Sequence, residues 1–76
     1  MKKIVVIHAG WAVIGEVTYL GDIVRVENAS VIRTWGTTAG LGEIALKGVT
    51  DKTILDYAGV IEVYKNAVIM QLECVV

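Results

Sequence analysis

The residues best equipped for recognition chemistry lie in one short stretch, Arg33-Thr34-Trp35-Gly36-Thr37-Thr38. An indole face stacks on a nucleobase for roughly 1 to 3 kcal/mol per base, and a guanidinium can hold a phosphate through two parallel hydrogen bonds. Gly36, Thr37 and Thr38 add amides and hydroxyls suited to phosphate oxygens. The turn they form leads to a helix start near Gly40-Leu41, where unpaired amides favour an anion. Alternate residues of a strand share a face, so Val31, Arg33 and Trp35 point the same way, and Arg33 and Trp35 can act together. The opposing reading makes Trp35 a core or interface anchor and Arg33 a solvated or glutamate-paired side chain. Tyr57 and Tyr64, which flank the closing strands, join the candidate ligand-binding set as residues able to line a cleft between subunits, and Lys65 and Asn66 join it as a polar turn.

Catalysis is not expected. A nucleophilic triad or a metal centre needs convergent histidine, cysteine and carboxylates, whereas His8 and Cys74 are single and stand at opposite ends. HExxH, CxxC, GxSxG and the phosphate-binding GxxxxGK[ST] are all absent from the sequence. His8 reads as a strand residue at a surface or interface, Cys74 as a small buried hydrophobe, and Asp51 and Asp56 as solvent-facing acids. No cofactor or metal is implied.

The elements that must position these residues are mostly strands. Ile4 to Ile7 form a run apolar on both faces, fitting a strand buried on two sides. Residues 11 to 20 alternate, with Trp11, Val13, Val17 and Tyr19 on the face expected to form the core. Gly15 interrupts this strand where a missing side chain permits the bend that closes a small barrel. Leu20-Gly21-Asp22 reads as a hairpin turn, Val24 and Val26 point inward, Asn28-Ala29-Ser30 breaks the alternation like a bulge, and Val31 to Trp35 resume the strand. From Thr37 the period changes: Leu41, Ile44 and Ala45 share one helical face, with Glu43 early, Lys47 late and Gly48 as the stop. Residues 49 to 57 read as a polar connection anchored by Ile54 and Leu55. Val60 to Tyr64 and Ala67 to Cys74 read as two strands joined at Lys65-Asn66, with Val68, Met70, Leu72 and Cys74 on one face.

Composition bounds the class. A chain of 76 residues forms one domain, here spanning 1–76 with 36–57 as an inserted turn, helix and connection. It buries only about 60% of the surface its unfolded form exposes. One cysteine rules out an internal disulfide, so the 55% hydrophobic content and a mean hydropathy of +0.64 point to self-association as the supplement. A net charge of −1 argues against the broad positive field of a duplex-DNA binder. No apolar run approaches the roughly 18 residues of a membrane span. The opening MKKIVVIHAGW reads as a first strand rather than a signal peptide, because His8 interrupts it. With a single unpaired cysteine, the cytoplasm is the expected location.

Two resemblances follow. The stretch IVVIHAGWAVIGEVTYLGDIVRVENASVI, with its strand, glycine turn, glycine-kinked strand and following strand, resembles the first motif of Sm-like (Hfq-like) proteins, and VIEVYKNAVIMQLE is similar to their second. This resemblance implies a five-stranded Sm-like or SH3-like barrel with one short inserted helix, assembled as a homo-oligomeric ring through its fourth and fifth strands, with a nucleotide or RNA site at the pore. The sequence departs from that family at YLGDI and at Lys65-Asn66, which replace its usual turns. The order AGxxxG, NAxxIRxW, LxEIAxxGV and xxAVIxxxxC, here Ala9 to Gly15, Asn28 to Trp35, Leu41 to Val49 and Ala67 to Cys74, resembles a group of small bacteriophage and prophage proteins without an assigned function. That resemblance implies a phage origin, and with it the host cell's cytoplasm.

Taken together, the expected function is that of a non-catalytic, phage-encoded oligomer that binds a small nucleotide without turning it over, in the extended case a host immune signalling nucleotide. An Sm-like RNA-binding ring and a virion structural or assembly protein with no small ligand are the alternatives.

Overall fold

Strand β1 (Lys2–Ile7) is apolar on both faces because it separates two cores. In the computed structural model, which describes residues 1–75, Ile4 is fully buried on one side and Val5 on the other. Strands β2 (Ala12–Leu20), β3 (Ile23–Thr34), β4 (Ile54–Tyr64) and β5 (Val68–Glu73) complete one antiparallel sheet in the order β4-β3-β2-β1-β5. Among the described residues one α-helix, α1 (Leu41–Lys47), lies between β3 and β4 in sequence.

The helix packs on one face of the sheet. Leu41, Ile44 and Ala45, the three residues its periodicity assigns to one side, are buried with Ile4, Ala12, Ile14 and Ile32. Glu43 in its first turn and Lys47 in its last suit the helix dipole, and Gly48 ends it at φ 89° while its amide donates to the Ile44 carbonyl. The other face holds Val5, Val13, Val17, Val24, Val26 and Ala29, with Ile61, Val63 and Val68 at the margin. No helix among the described residues covers that face, so burying Val24 and Val26 to 1% exposure requires the sheet to curve over itself.

The curvature comes from paired irregularities. The β2–β3 register slips between Ile14 and Glu16, opposite the bulge where Asn28 adopts φ 49°. A Cβ on Gly15 would stand 2.7 Å from the Glu27 carbonyl oxygen and from a Val26 methyl, so only glycine admits this close approach.

The bend stops short of closure, which corrects the Sm-like and SH3-like barrel reading. Strands β4 and β5 are the two edges of an open sheet and do not pair with each other. The ring inferred from that barrel goes with it. Three local expectations change as well. Trp11 and Tyr19, read as barrel core, are 59% and 50% exposed: Trp11 precedes β2, and the Tyr19 hydroxyl accepts from Lys3 Nζ and donates to Gln71 Oε1 at the surface. Strand β4 starts at Ile54, so the insert ends before residue 57 and Tyr57 is a strand residue. In β5, Val6 pairs with Met70 and Ile7 with Val68, leaving Ile69 as a bulge. Val68 consequently joins one core while Leu72 and Cys74 join the other, and the four alternating residues do not share a face.

No helix among the described residues is long and apolar enough to cross a membrane.

Candidate functional site

The hairpin register brings the first and last residues of two strands together. Val13 pairs with Val31, which sets Trp11, just before β2, beside Arg33 near the end of β3. On the other side of β3, Val31 pairs with Asp56 of β4. The result is a pocket of about 440 Å³ lined by Trp11, Arg33, Trp35 and Asp56 over an apolar floor that includes Ala12 and Ile32.

Each side chain is held by identifiable local structure. Trp11 follows a tight turn, His8–Gly10, in which Ala9 and Gly10 both have positive φ and the Ile7 amide donates to the Trp11 carbonyl at 2.8 Å. Trp35 sits in the turn after β3, clamped by the segment before β4. The Thr53 hydroxyl donates to the Trp35 carbonyl and the Thr50 hydroxyl to the Gly36 carbonyl, both at 2.7 Å. Gly36, at φ 67°, packs so closely on Lys52 and Thr53 that a Cβ there would lie 2.3 Å from the Lys52 carbonyl carbon. The Trp35 ring itself packs near Gly40, where a Cβ would stand 3.3 Å from the indole edge. Both tryptophans line this pocket and remain about half exposed, at 59% for Trp11 and 47% for Trp35. An exposed pair of large aromatic faces, fixed by backbone hydrogen bonds, is what a stacking site requires.

The polar wall is a guanidinium–carboxylate fork. Arg33 Nε donates to Asp56 Oδ2 at 2.9 Å and Nη2 to Oδ1 at 3.3 Å. The Gly/Thr turn is similarly self-contained. Thr37 donates its hydroxyl to the Gly40 carbonyl at 2.8 Å, while the Thr38 hydroxyl and the Ala39 amide both donate to Glu43 Oε1, at 3.2 and 3.1 Å. This is a helix-start arrangement in which a carboxylate of α1 satisfies donors of the preceding turn.

The nine candidate residues therefore fall into two groups. Arg33 and Trp35 line the pocket, Gly36, Thr37 and Thr38 form the turn beside it, and Tyr57, next to Asp56, is 71% exposed on β4. Tyr64, Lys65 and Asn66 lie at the far end of β4, about 25 Å from Asp56 along the strand at roughly 3.3 Å per residue. There they line a separate concavity of about 420 Å³ with Asp22, whose carbonyl accepts from the Lys65 amide at 2.8 Å. Sequence reading missed Trp11 and Asp56. The signal for Trp11 was available: counting back from the Gly21-Asp22 turn and allowing one bulge residue sets Trp11 opposite Arg33.

Among the described residues, no group of three or more histidine, cysteine, aspartate or glutamate side chains is placed to hold a metal ion. No family model matches the chain, and no curated protein matches it. Neither the phage origin, drawn from resemblance, nor the host-defence role, drawn from analogy, is supported by a matching family model or curated protein.

Proposed function

We propose that this chain is a non-catalytic binding protein that holds a small ligand by stacking a flat ring, such as the base of a nucleotide, on Trp11 and Trp35. The observation that carries this reading is the meeting of two fixed, half-exposed indoles from different strand ends in one pocket of about 440 Å³. That volume falls within the roughly 300 to 1,000 Å³ of small-molecule sites. Arg33 and Asp56 supply donors and acceptors at the rim for the ring's polar edge. Capture without turnover is the reading we adopt because the carboxylate of the lining, Asp56, is engaged by the Arg33 guanidinium through both of its oxygens. The single cysteine, free in the structure, supports a reducing cytoplasm as the place of work.

Indole fluorescence tests this directly. Titration with a panel of nucleosides and nucleotides should quench or shift the tryptophan emission, and a bound ligand should raise the melting temperature. Trp35→Ala should weaken binding by roughly 5- to 150-fold, the equivalent of 1 to 3 kcal/mol of stacking. Absence of any spectral or thermal response across the panel would refute the proposal.

A further inference from the structure

The two places where an anion would bind beside this pocket are both already taken by carboxylates of the chain itself. Arg33, the pocket's only cation among the residues that line it, spends Nε and Nη2 on Asp56. The Thr38 hydroxyl and Ala39 amide, the donors best placed for a phosphate at the turn, converge on one oxygen of Glu43. We infer that the site recognises the ring of its ligand and not a phosphate, so that its ligand class is an uncharged heteroaromatic, with nucleosides bound as well as nucleotides. This inference rests on the stacking reading above and narrows it.

The physical case is one of competition. A phosphate approaching Arg33 must either displace Asp56 or share the guanidinium with it, and sharing places two anions within a few ångströms of each other. The Arg33–Asp56 pair is itself exposed, at 63% and 51%, so its strength is modest; its effect on specificity lies in cancelling the guanidinium charge where a ligand would meet it. The same holds at the turn, where an incoming anion would have to expel Glu43. A neutral ring meets neither obstacle: it covers the indoles and the apolar floor, and its edge can still donate to the remaining lone pairs of Asp56. Two basic side chains outside the lining set belong to residues close by, Lys52, whose backbone packs on Gly36, and His8, in the turn before Trp11. His8→Gln and Lys52→Ala remove them one at a time.

The test compares adenosine, guanosine, cytidine and uridine with their 5′-monophosphates, by tryptophan quenching at 50 and 500 mM salt. For the wild-type chain, each nucleoside and its monophosphate should bind within about threefold of each other, and the tenfold rise in salt should change affinity by less than about threefold. Asp56→Asn, which keeps the shape and removes the competing charge, should raise the preference for the monophosphate at least tenfold at low salt. A wild-type preference for monophosphates of tenfold or more, lost at high salt, overturns the inference while leaving the stacking reading intact; the Lys52→Ala variant then identifies whether Lys52 supplies it. An unchanged ratio in Asp56→Asn, with circular dichroism confirming the fold, also overturns it. Failure of every nucleoside and monophosphate to bind removes both the stacking reading and this refinement.

Discussion

At the scale of single residues, the pocket depends on backbone positions that admit no side chain as much as on the indoles. Gly36→Ala would drive a Cβ into the Lys52 carbonyl at a residue already in the left-handed region, and the segment that clamps Trp35 must then move. We expect a loss of about 2 to 3 kcal/mol, seen as a melting temperature lower by roughly 10 to 20 °C for a domain of this size. Trp11→Ala should weaken ligand binding as much as Trp35→Ala while leaving the melting temperature within a few degrees, since its ring is mostly solvent-facing. A large stability loss in Trp11→Ala would instead assign that ring to the fold. Cys74 contributes differently. Burial against the helix-side core pushes its thiol above the ordinary value, an effect that the nearby Lys2 opposes. The unfolded thiol therefore ionises first, so the stability this group confers is complete below the unfolded pKa, near 8.5, and is lost as pH rises through the higher folded value. Comparing thermal stability at pH 7 and pH 10 should show a steeper alkaline decline in the wild type than in Cys74→Ala.

At the scale of elements, the sequence is legible wherever a short period meets a single buried face. The helix is the clearest case: Leu41, Ile44 and Ala45 mark its inner side, and all three are buried. A seven-residue helix has no stability of its own, so its existence depends on the contacts of that face. Ile44→Ala, at a residue 1% exposed, should cost about 2 to 5 kcal/mol and abolish the helical signal together with the fold. Gly42→Ala lies on the same helix with nothing within 4 Å of its added methyl and should stabilise by roughly 0.5 to 1 kcal/mol. Chemical denaturation of the pair checks both signs. The bulge at Asn28 and the bend at Gly15 were also legible, because each breaks an otherwise regular alternation. What alternation does not encode is which strands meet. Nothing in Ile54 to Tyr57 marks the start of β4, since the adjacent apolar Ile54 and Leu55 break the alternation a strand would show, and the bulge at Ile69 reverses the faces of β5 without leaving a glycine or proline behind. The site divides along the same line. Arg33 and Trp35 stood out by local spacing, whereas Asp56 joins them through long-range pairing across β3 and β4, and that pairing is not read from either strand alone.

At the scale of the whole molecule, the open sheet turns a compositional surplus into a located one. Strand β4 runs 11 residues along an edge with no proline and no lysine before its final turn. Its two acids are neutralised from β3, Asp56 by Arg33 and Glu62 by Arg25, so the usual charges that discourage edge pairing are spent. Leu55, Tyr57, Val60 and Tyr64 are exposed along it. The two tyrosines, 71% and 69% exposed, alone offer roughly 200 to 350 Å² of the approximately 800 Å² per partner that a stable interface uses. The opposite edge, β5, has 6 residues, and just beyond it the Val75 amide donates to the Ala45 carbonyl, tying that end of the chain to the helix. We therefore propose that copies of this chain associate through β4, joining two sheets edge to edge. Light scattering after size exclusion should report more than one chain per particle at micromolar concentration. Val60→Lys should shift the particle to a monomer, because a lysine on the edge both repels its counterpart and needs water. Tyr57→Lys provides a second charge on the same strand should the first be tolerated. A wild-type monomer at these concentrations, or an assembly indifferent to both substitutions, would place the apolar edge outside any contact between copies.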